Sequence, residues 1–200
     1  MIALAPSARD RFLVGLLACT GLRIGEALGL HHGDMHLLAS SRAVGCGVED
    51  PHVHVRRRTD NPNQALAKSR HHRLVPVTAD VVAHYTDYQY GRDQVAEAAE
   101  SETVFVNLLR PPPGRAVSYP NPKEMFDRLA RGVGHACRPH MPRHSAATRW
   151  LRGVDRDVWC SGFWATSPRC QWSAADMSTM PRHGRRSSAG HRADRRAAPG

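Results

Sequence analysis

The supply of branched aliphatic side chains ends abruptly along this sequence, and this limits how much of it can fold. Beyond Val158 the chain contains no valine, isoleucine or leucine, although it continues to residue 200. Its last 42 residues are rich in Arg, Ala, Ser, Gly and Pro, which cannot supply a periodic apolar face. We therefore expect one folded unit over residues 1–158, long enough to bury a core, and a disordered tail over residues 159–200.

The charge balance bounds the class of partner. The chain carries 28 Lys and Arg against 18 Asp and Glu, a formal net charge of +10, which favours polyanions and above all nucleic acid. It contains neither the apolar run of a membrane span nor, in its first 30 residues, the pattern of a secretory signal. These observations predict a cytoplasmic protein without membrane contact.

The cysteines and histidines give no metal-binding pattern. The five cysteines, at positions 19, 46, 137, 160 and 170, include no Cys-x-x-Cys pair, which argues against a disulfide framework and a structural zinc site. Adjacent histidines at 31–32 and 71–72 point in different directions and have no supporting carboxylate or thiol spacing. We expect thiols without a special role, solvated loop histidines, and no metal or other cofactor.

Periodicity predicts a mainly α fold with a small antiparallel β-sheet, of the α+β class. Helices are expected from Ser7 to Gly21, then directly after Arg23, and later over residues 78–90, 125–133 and 140–153. Alternating valines predict strands around residues 53–55 and 74–77, joined as a hairpin by the turn-rich stretch 59–63. Residues 97–102 are expected to form an acidic spacer, and the prolines at 111–113 and 120–122 to bracket a loop without regular structure.

Two short segments more than a hundred residues apart each place an arginine where a helix begins. Residues 20–26 read Thr-Gly-Leu-Arg-Ile-Gly-Glu and contain Arg23, whereas residues 140–148 read His-Met-Pro-Arg-His-Ser-Ala-Ala-Thr and contain His140 and Arg143. Guanidinium groups bind the nonbridging oxygens of a phosphate bidentately, and a histidine can donate or take a proton. The combination indicates chemistry at a phosphate.

These segments resemble the catalytic domain of the tyrosine recombinases, also called phage integrases, over residues 7–158. Residues 20–30 resemble the family's first arginine box, and Asp34 stands where the family usually carries an aspartate. Lys68, followed by the strand 73–77, resembles the family's hairpin lysine. The segment around Arg143 resembles the second box and is the most specific of these signals.

The resemblance implies DNA strand cleavage and rejoining in recombination or integration, with double-stranded DNA as the partner and no metal. Arg23 and Arg143 would clamp the scissile phosphate and stabilise its charge in the transition state. Lys68 would protonate the leaving 5′ hydroxyl, and His140 would act as general acid or base. The family's nucleophile is a tyrosine that forms a 3′ phosphotyrosyl link. A homo-oligomer on DNA is compatible with this mechanism, and another protomer could then supply the tyrosine.

The sequence departs from the family after the second box. The family continues with Leu-Gly-His and then the nucleophilic tyrosine, whereas the last tyrosine of this chain is Tyr119, which precedes that box. Tyr85, Tyr88 and Tyr90 belong to a middle helix and are not candidates. We therefore expect a catalytic domain over residues 1–158 that lacks its C-terminal end and has no nucleophile of its own.

Codon degeneracy offers an explanation for this departure. Residues 163–166, Phe-Trp-Ala-Thr, must be encoded TTY-TGG-GCN-ACN, and moving the frame back by one base turns the middle codons into Leu and Gly. The next codon then encodes His, Tyr, Asn or Asp, so Leu-Gly-His is permitted. We hypothesise that the reading frame is lost between Asp157 and Phe163 and that the tail is out of frame. A divergent C-terminus is the alternative.

The basic run Arg56, Arg57 and Arg58 is a candidate contact to the DNA backbone, although such runs are as often merely solvated. Two rivals to the recombinase interpretation remain. A non-catalytic DNA-binding module would need a recognition helix with exposed polar side chains, and residues 23–30 are mostly apolar. An unfolded product is the other rival, since losing the last helices would expose core surface.

Overall fold

The computed structural model describes residues 2–67 and 71–151, with only the backbone described over residues 147–151. Within these residues the chain forms helices α1 (Ala8–Thr20), α2 (Ile24–Leu28), α3 (Ala79–Asp93), α4 (Ala96–Ala99), α5 (Pro120–Val133) and α6 (Met141–Leu151), and strands β1 (Met35–His36), β2 (His52–Val55) and β3 (Arg73–Pro76). The expected fold class, mainly helical with a small antiparallel sheet, is confirmed. No helix in the described ranges is long and apolar enough to cross a membrane.

Helix α1 forms the centre of the core, and its ends follow the sequence signals. The Ser7 side chain accepts a hydrogen bond from the backbone N–H of Asp10 at 3.1 Å, and Gly21 ends the helix in the left-handed region with φ of 63°. Phe12, which is fully buried, stacks on Phe105 with ring centroids 5.2 Å apart and on Tyr88 at 6.0 Å. The predicted boundaries of this helix are confirmed.

The sheet has the order β1-β2-β3, and both pairings are antiparallel. Val53 lies opposite Val75 in the predicted hairpin, which is confirmed. Because side chains alternate along a strand, Val53 and Val55 enter the core while His52 and His54 occupy the other face. Strand β1 was not predicted, since two residues are too short to show an alternating pattern.

Arg92, near the end of α3, organises the chain that follows it. Its side chain is 1% exposed. One terminal nitrogen donates to the carbonyls of Thr103 and Val104 at 2.7 and 3.0 Å, and the other donates to those of Ala98 and Ser101. One guanidinium therefore satisfies four carbonyls in the segment after α3 and holds that segment against the helix.

The structure places helical residues at two points where the sequence predicted a spacer and the end of a loop. The acidic spacer expected over residues 97–102 begins inside α4, whose four residues lie in the segment held by Arg92. The prolines at 120 and 122 lie in the first turn of α5. Proline is tolerated there because the N–H groups of a first helical turn need no intrahelical partner.

Candidate phosphate-binding site

Arg23 lies where α1 gives way to α2. The left-handed Gly21 reverses the chain, and Arg23 becomes the N-cap of α2, with its backbone N–H donating to Glu26 Oε2 at 2.9 Å. Its side-chain Nη1 is 3.5 Å from Glu26 Oε1, and the side chain remains 46% exposed. The turn therefore fixes the Arg23 backbone and leaves most of its guanidinium donors to solvent.

Glu26 is a buried carboxylate that holds a second arginine. Its side chain is fully buried, and Arg73, at the start of β3, donates to both of its oxygens at 3.2 and 2.8 Å. Burial alone acts to raise the pKa of Glu26, but the hydrogen bonds from Arg73 and from the Arg23 backbone outweigh it and hold the pKa below its usual range. Glu26 is therefore ionised and anchors β3 to α2.

Arg143 reaches the same place from α6. Its Nη1 donates to the carbonyl of Gly21 at 3.1 Å, across 122 positions of sequence. Burial lowers the pKa of Arg143, and the charges of Arg23 and Arg73 lower it further. An arginine remains protonated under such a shift. The lowered pKa indicates that Arg143 lies in the electrostatic field of the other two arginines.

The site therefore gathers three guanidinium groups around one carboxylate. Glu26 neutralises one of the charges of Arg23, Arg73 and Arg143, so an excess of positive charge remains. Arg23 and Arg73 are partly exposed, which leaves donors directed away from the carboxylate. Converging guanidinium donors with uncompensated charge suit an oxyanion such as a phosphodiester.

The depressed pKa of Glu26 predicts a specific loss of stability in acid. A group whose pKa is lower in the folded state stabilises the fold above its unfolded pKa, and this contribution disappears as the pH falls through the folded pKa. In thermal melts, we expect the melting temperature of the parent to exceed that of Glu26→Gln at pH 7 and the gap to close below about pH 4. A gap that stays constant with pH would contradict an ionised, paired Glu26.

The structure describes only one of the other two predicted catalytic residues. His140 directly precedes α6, is exposed, and packs its ring edge-on against His144 with centroids 5.9 Å apart. Lys68 lies outside the described residues. The chain just before it passes over α2, since a Cβ on Gly25 would lie 2.7 Å from the carbonyl oxygen of Leu66. That close approach explains the small residue in the first box.

A second buried carboxylate, Asp34, holds part of the basic run. Arg58 donates to both Asp34 oxygens at 2.7 and 2.9 Å, and Arg56 Nε lies 3.4 Å from one of them. The Arg58 side chain is only 19% exposed, whereas Arg57 is exposed. The predicted DNA contact of the run is therefore available to Arg56 and Arg57, while Arg58 ties the segment after β2 to the 3₁₀ turn before β1.

The histidine pairs fall into two environments. His71 and His72 are exposed, as expected. His31 and His32 are half-buried rather than solvated, because His31 Nε2 contacts the Asn61 side chain at 3.1 Å and His32 Nδ1 contacts the Tyr85 hydroxyl at 3.1 Å. Packing of α3 and of the segment 59–63 beside these rings was not visible in the local sequence.

Sequence reasoning missed Glu26 and Arg73 as parts of the site. Both lie inside segments that carried the resemblance, but no role was assigned to either. The available signal was weak: Glu26 stands three positions after Arg23 at a helix start, which is the capping-box spacing. Its second partner, 47 positions away, could only come from the fold.

Solved structures share this architecture. The chain matches the crystal structure of the XerA recombinase with a TM-score of 0.55 and 21% identity, covering 88% of this chain and 58% of that one. It matches the Tn1549 transposon integrase, solved in complex with circular intermediate DNA, with a TM-score of 0.53 and 16% identity over 76% of this chain and 49% of that chain. At these identities the likeness shows the fold, which is that of a tyrosine-recombinase catalytic domain.

Sequence comparison identifies the family. The family model for the phage integrase family matches residues 2–158, so the chain belongs to that family. It is 29% identical over 144 residues to Transposase A from transposon Tn554 of Staphylococcus aureus, covering 72% of this chain and 36% of the relative. It is 30% identical over 154 residues to tyrosine recombinase XerD of Lacticaseibacillus casei, covering 75% and 44%. The chain thus spans less than half the length of these relatives.

Proposed function

We propose that this chain binds double-stranded DNA and holds a backbone phosphodiester between Arg23 and Arg143, as part of DNA breakage and rejoining in recombination or integration. The observation that best supports this proposal is the hydrogen bond from Arg143 to the Gly21 carbonyl. This carbonyl lies beside the helix start that presents Arg23. Membership of the phage integrase family supports the reaction class. The proposed setting is the cytoplasm, with a homo-oligomer as the form bound to DNA.

In this proposal the cations are arranged before DNA arrives. Glu26 and Arg73 position the clamp, because the buried carboxylate orients Arg73 bidentately and fixes the backbone of Arg23. Preorganised donors stabilise charge on the phosphate oxygens more than donors that must reorient. Lys68 and His140 would supply the proton transfers to and from the reacting oxygens.

We propose further that the chain cannot attack the phosphate by itself. No tyrosine follows the second box, and Tyr88 is buried, with its hydroxyl bonded to Val104 and Val106. Burial raises the pKa of Tyr88, which opposes formation of a phenolate. A tyrosine from another protomer or polypeptide would be needed for cleavage.

The helix-turn-helix rival receives no support from the fold. Helix α2, the candidate recognition helix, has five residues, and its Glu26, Ala27 and Leu28 are buried. A recognition helix must present exposed side chains to a groove. DNA contact through the phosphate backbone agrees better with this geometry.

A binding measurement tests the clamp without knowledge of the target sequence. With a nicked duplex of mixed sequence, we expect Arg143→Ala to weaken binding by roughly 10- to 100-fold, because a charge-assisted contact to phosphate is lost. A plot of log affinity against log salt concentration should also become shallower. Its slope should fall by about 1, which corresponds to one lost phosphate contact. The charge-matched control is Arg131→Ala, which removes an exposed arginine from α5. Equal losses in the two variants would contradict a dedicated pocket.

The covalent step is tested separately. The parent chain is incubated with a suicide DNA substrate and the products are separated by denaturing electrophoresis. We expect no protein attached to DNA. A covalent band that maps to a tyrosine of this chain would overturn the proposed lack of a nucleophile, while leaving the clamp in place.

A further inference from the structure

We propose that this chain contains a structural zinc site formed by His36, Cys46, His52 and His54. One ligand atom from each of these side chains lies within 4.8 Å of every other. The site lies on the face of the small sheet that points away from the core and does not include the arginines of the phosphate clamp. It is independent of the proposed DNA function.

Strand geometry explains why the three histidines meet. His52 and His54 are two positions apart in β2, so their side chains leave the same face of the sheet. His36 in β1 is the direct cross-strand partner of His52. The ring centroid of His36 lies 4.2 Å from that of His54 and 5.0 Å from that of His52. Backbone pairing therefore places three imidazoles on one face, with the His36 ring stacked on the other two.

The fourth ligand comes from the loop between β1 and β2. The loop turns back over the sheet through a short 3₁₀ turn and Gly45, whose φ of 76° is left-handed. This turn brings the Cys46 sulfur to 3.5 Å from His52 Nε2 and 3.6 Å from His54 Nε2. A single thiol thus faces two of the three rings.

Three of the six distances between ligand atoms match those within a tetrahedral zinc site. With Zn–N bonds of about 2.0–2.1 Å and Zn–S bonds of about 2.3 Å, a tetrahedral ion separates two nitrogens by about 3.3 Å and a nitrogen from a sulfur by about 3.6 Å. The two Nε2 atoms of His52 and His54 are 3.1 Å apart. Both sulfur–nitrogen distances lie within 0.1 Å of the tetrahedral value. The ligand nitrogen of His36 lies within 4.8 Å of the other three ligand atoms, and its movement toward them would complete the set.

Two features of the surroundings favour a ligand over simple packing. His52 Nδ1 contacts the Asp50 carbonyl at 2.7 Å, and donation of its N–H there leaves Nε2 able to coordinate. His36 is 92% buried, and its Nδ1 has no hydrogen-bond partner. Buried ring nitrogens are rarely left without a partner, because desolvation is costly. A cation coordinated by the His36 ring would account for a buried ring nitrogen that has no hydrogen-bond partner.

A hydrogen bond between His52 and His54 is the competing explanation. Arg56 donates to His54 Nδ1 at 3.4 Å, which would leave the His54 proton on Nε2, directed at His52 Nε2. That arrangement explains one distance, but not the thiol held against both rings. When zinc binds, the Cys46 thiol loses its proton to solvent, the His54 proton moves to Nδ1, and the half-exposed Arg56 moves aside.

Four protein ligands and no open position define a structural rather than a catalytic zinc site. Within the described residues, the ion would join the 37–51 loop to both β1 and β2. Its expected effect is therefore on the stability of the sheet. At a zinc concentration about a hundredfold above the dissociation constant, we expect the melting temperature to rise by roughly 5 to 10 °C.

The test uses the full chain, freed of metal with a chelator and then given Zn²⁺ or Co²⁺ alone. All proteins carry Cys160→Ser and Cys170→Ser, so that thiols of the tail give no signal. We expect one Zn²⁺ bound per chain and, with Co²⁺, the visible bands of a tetrahedral site together with a thiolate charge-transfer band. Cys46→Ser should lose the charge-transfer band, whereas the matched control Cys137→Ser, another half-buried cysteine, should keep it.

The outcomes separate the site from other metal binding. No bound Zn²⁺ and an unchanged melting temperature would overturn the proposal, as would zinc binding that is unaffected by Cys46→Ser. Because the cobalt spectrum is read on the parent, the result stands even if Cys46→Ser folds poorly. His54→Ala then serves as the second variant, with exposed His72→Ala as its control, and only His54→Ala should reduce the bound Zn²⁺.

Discussion

Replacing Glu26 by glutamine is expected to destabilise the protein by about 2–3 kcal/mol and to lower its melting temperature by roughly 4–12 °C. The change preserves shape but removes the carboxylate that lies among Arg23, Arg73 and Arg143. Arg73 loses a bidentate partner, and mutual repulsion of the guanidiniums is no longer offset. The loss is smaller than for a fully buried ion pair, because Arg73 is one-third exposed and can be solvated.

Sulfate provides a direct check on this explanation. An oxyanion that enters among the three guanidiniums should stabilise Glu26→Gln more than the parent, because only the variant lacks an anion there. The control is Glu124→Gln, since Glu124 pairs with Arg110 at 3.0 Å on the surface and both side chains are more than half exposed. We expect that variant to lose less than about 0.5 kcal/mol. Equal effects in the two variants would mean that Glu26 has no special role.

Arg92→Met is expected to cost about 3–5 kcal/mol, because four carbonyls each lose a hydrogen bond from the guanidinium while the apolar stem is kept. The affected acceptors lie in the segment from α4 to Val104. Val104 keeps the Tyr88 hydroxyl as a donor and Ala98 keeps the Ser101 N–H, so the carbonyls of Ser101 and Thr103 lose most. Urea unfolding should therefore show a lower midpoint, and the melting temperature should fall by roughly 6–20 °C.

The conservative replacement sharpens this prediction. Arg92→Lys retains the charge but offers one compact ammonium on a different stem, so it should recover only part of the lost stability. Arg131→Met, at an exposed position of α5, is the matched control and should remain within about 0.5 kcal/mol of the parent. Full recovery by lysine would show that charge, rather than the four-carbonyl geometry, is what the fold requires.

The sequence predicted the elements whose signals are local. Ser7 and Gly21 bound α1 because a side-chain cap and a left-handed residue act within a few positions of the helix ends. The alternating valines around residues 53 and 75 predicted the hairpin for the same reason. The prolines at 120 and 122 were expected only to close a loop, but they also begin α5; proline both ends helices and begins them, and local sequence did not distinguish the two.

The sequence by itself determined which residues are the candidates for phosphate binding, since Arg23 and Arg143 each stand in a recognisable motif at a helix start. Only the tertiary structure decided what surrounds them and what else the chain brings together. The partnership of Glu26 with Arg73, the anchoring of Arg143 on Gly21, and the cluster of three histidines with Cys46 all join segments through packing and strand register. Local preferences extend over a few residues, whereas a side chain finds a distant partner only after the core has fixed the separation between segments.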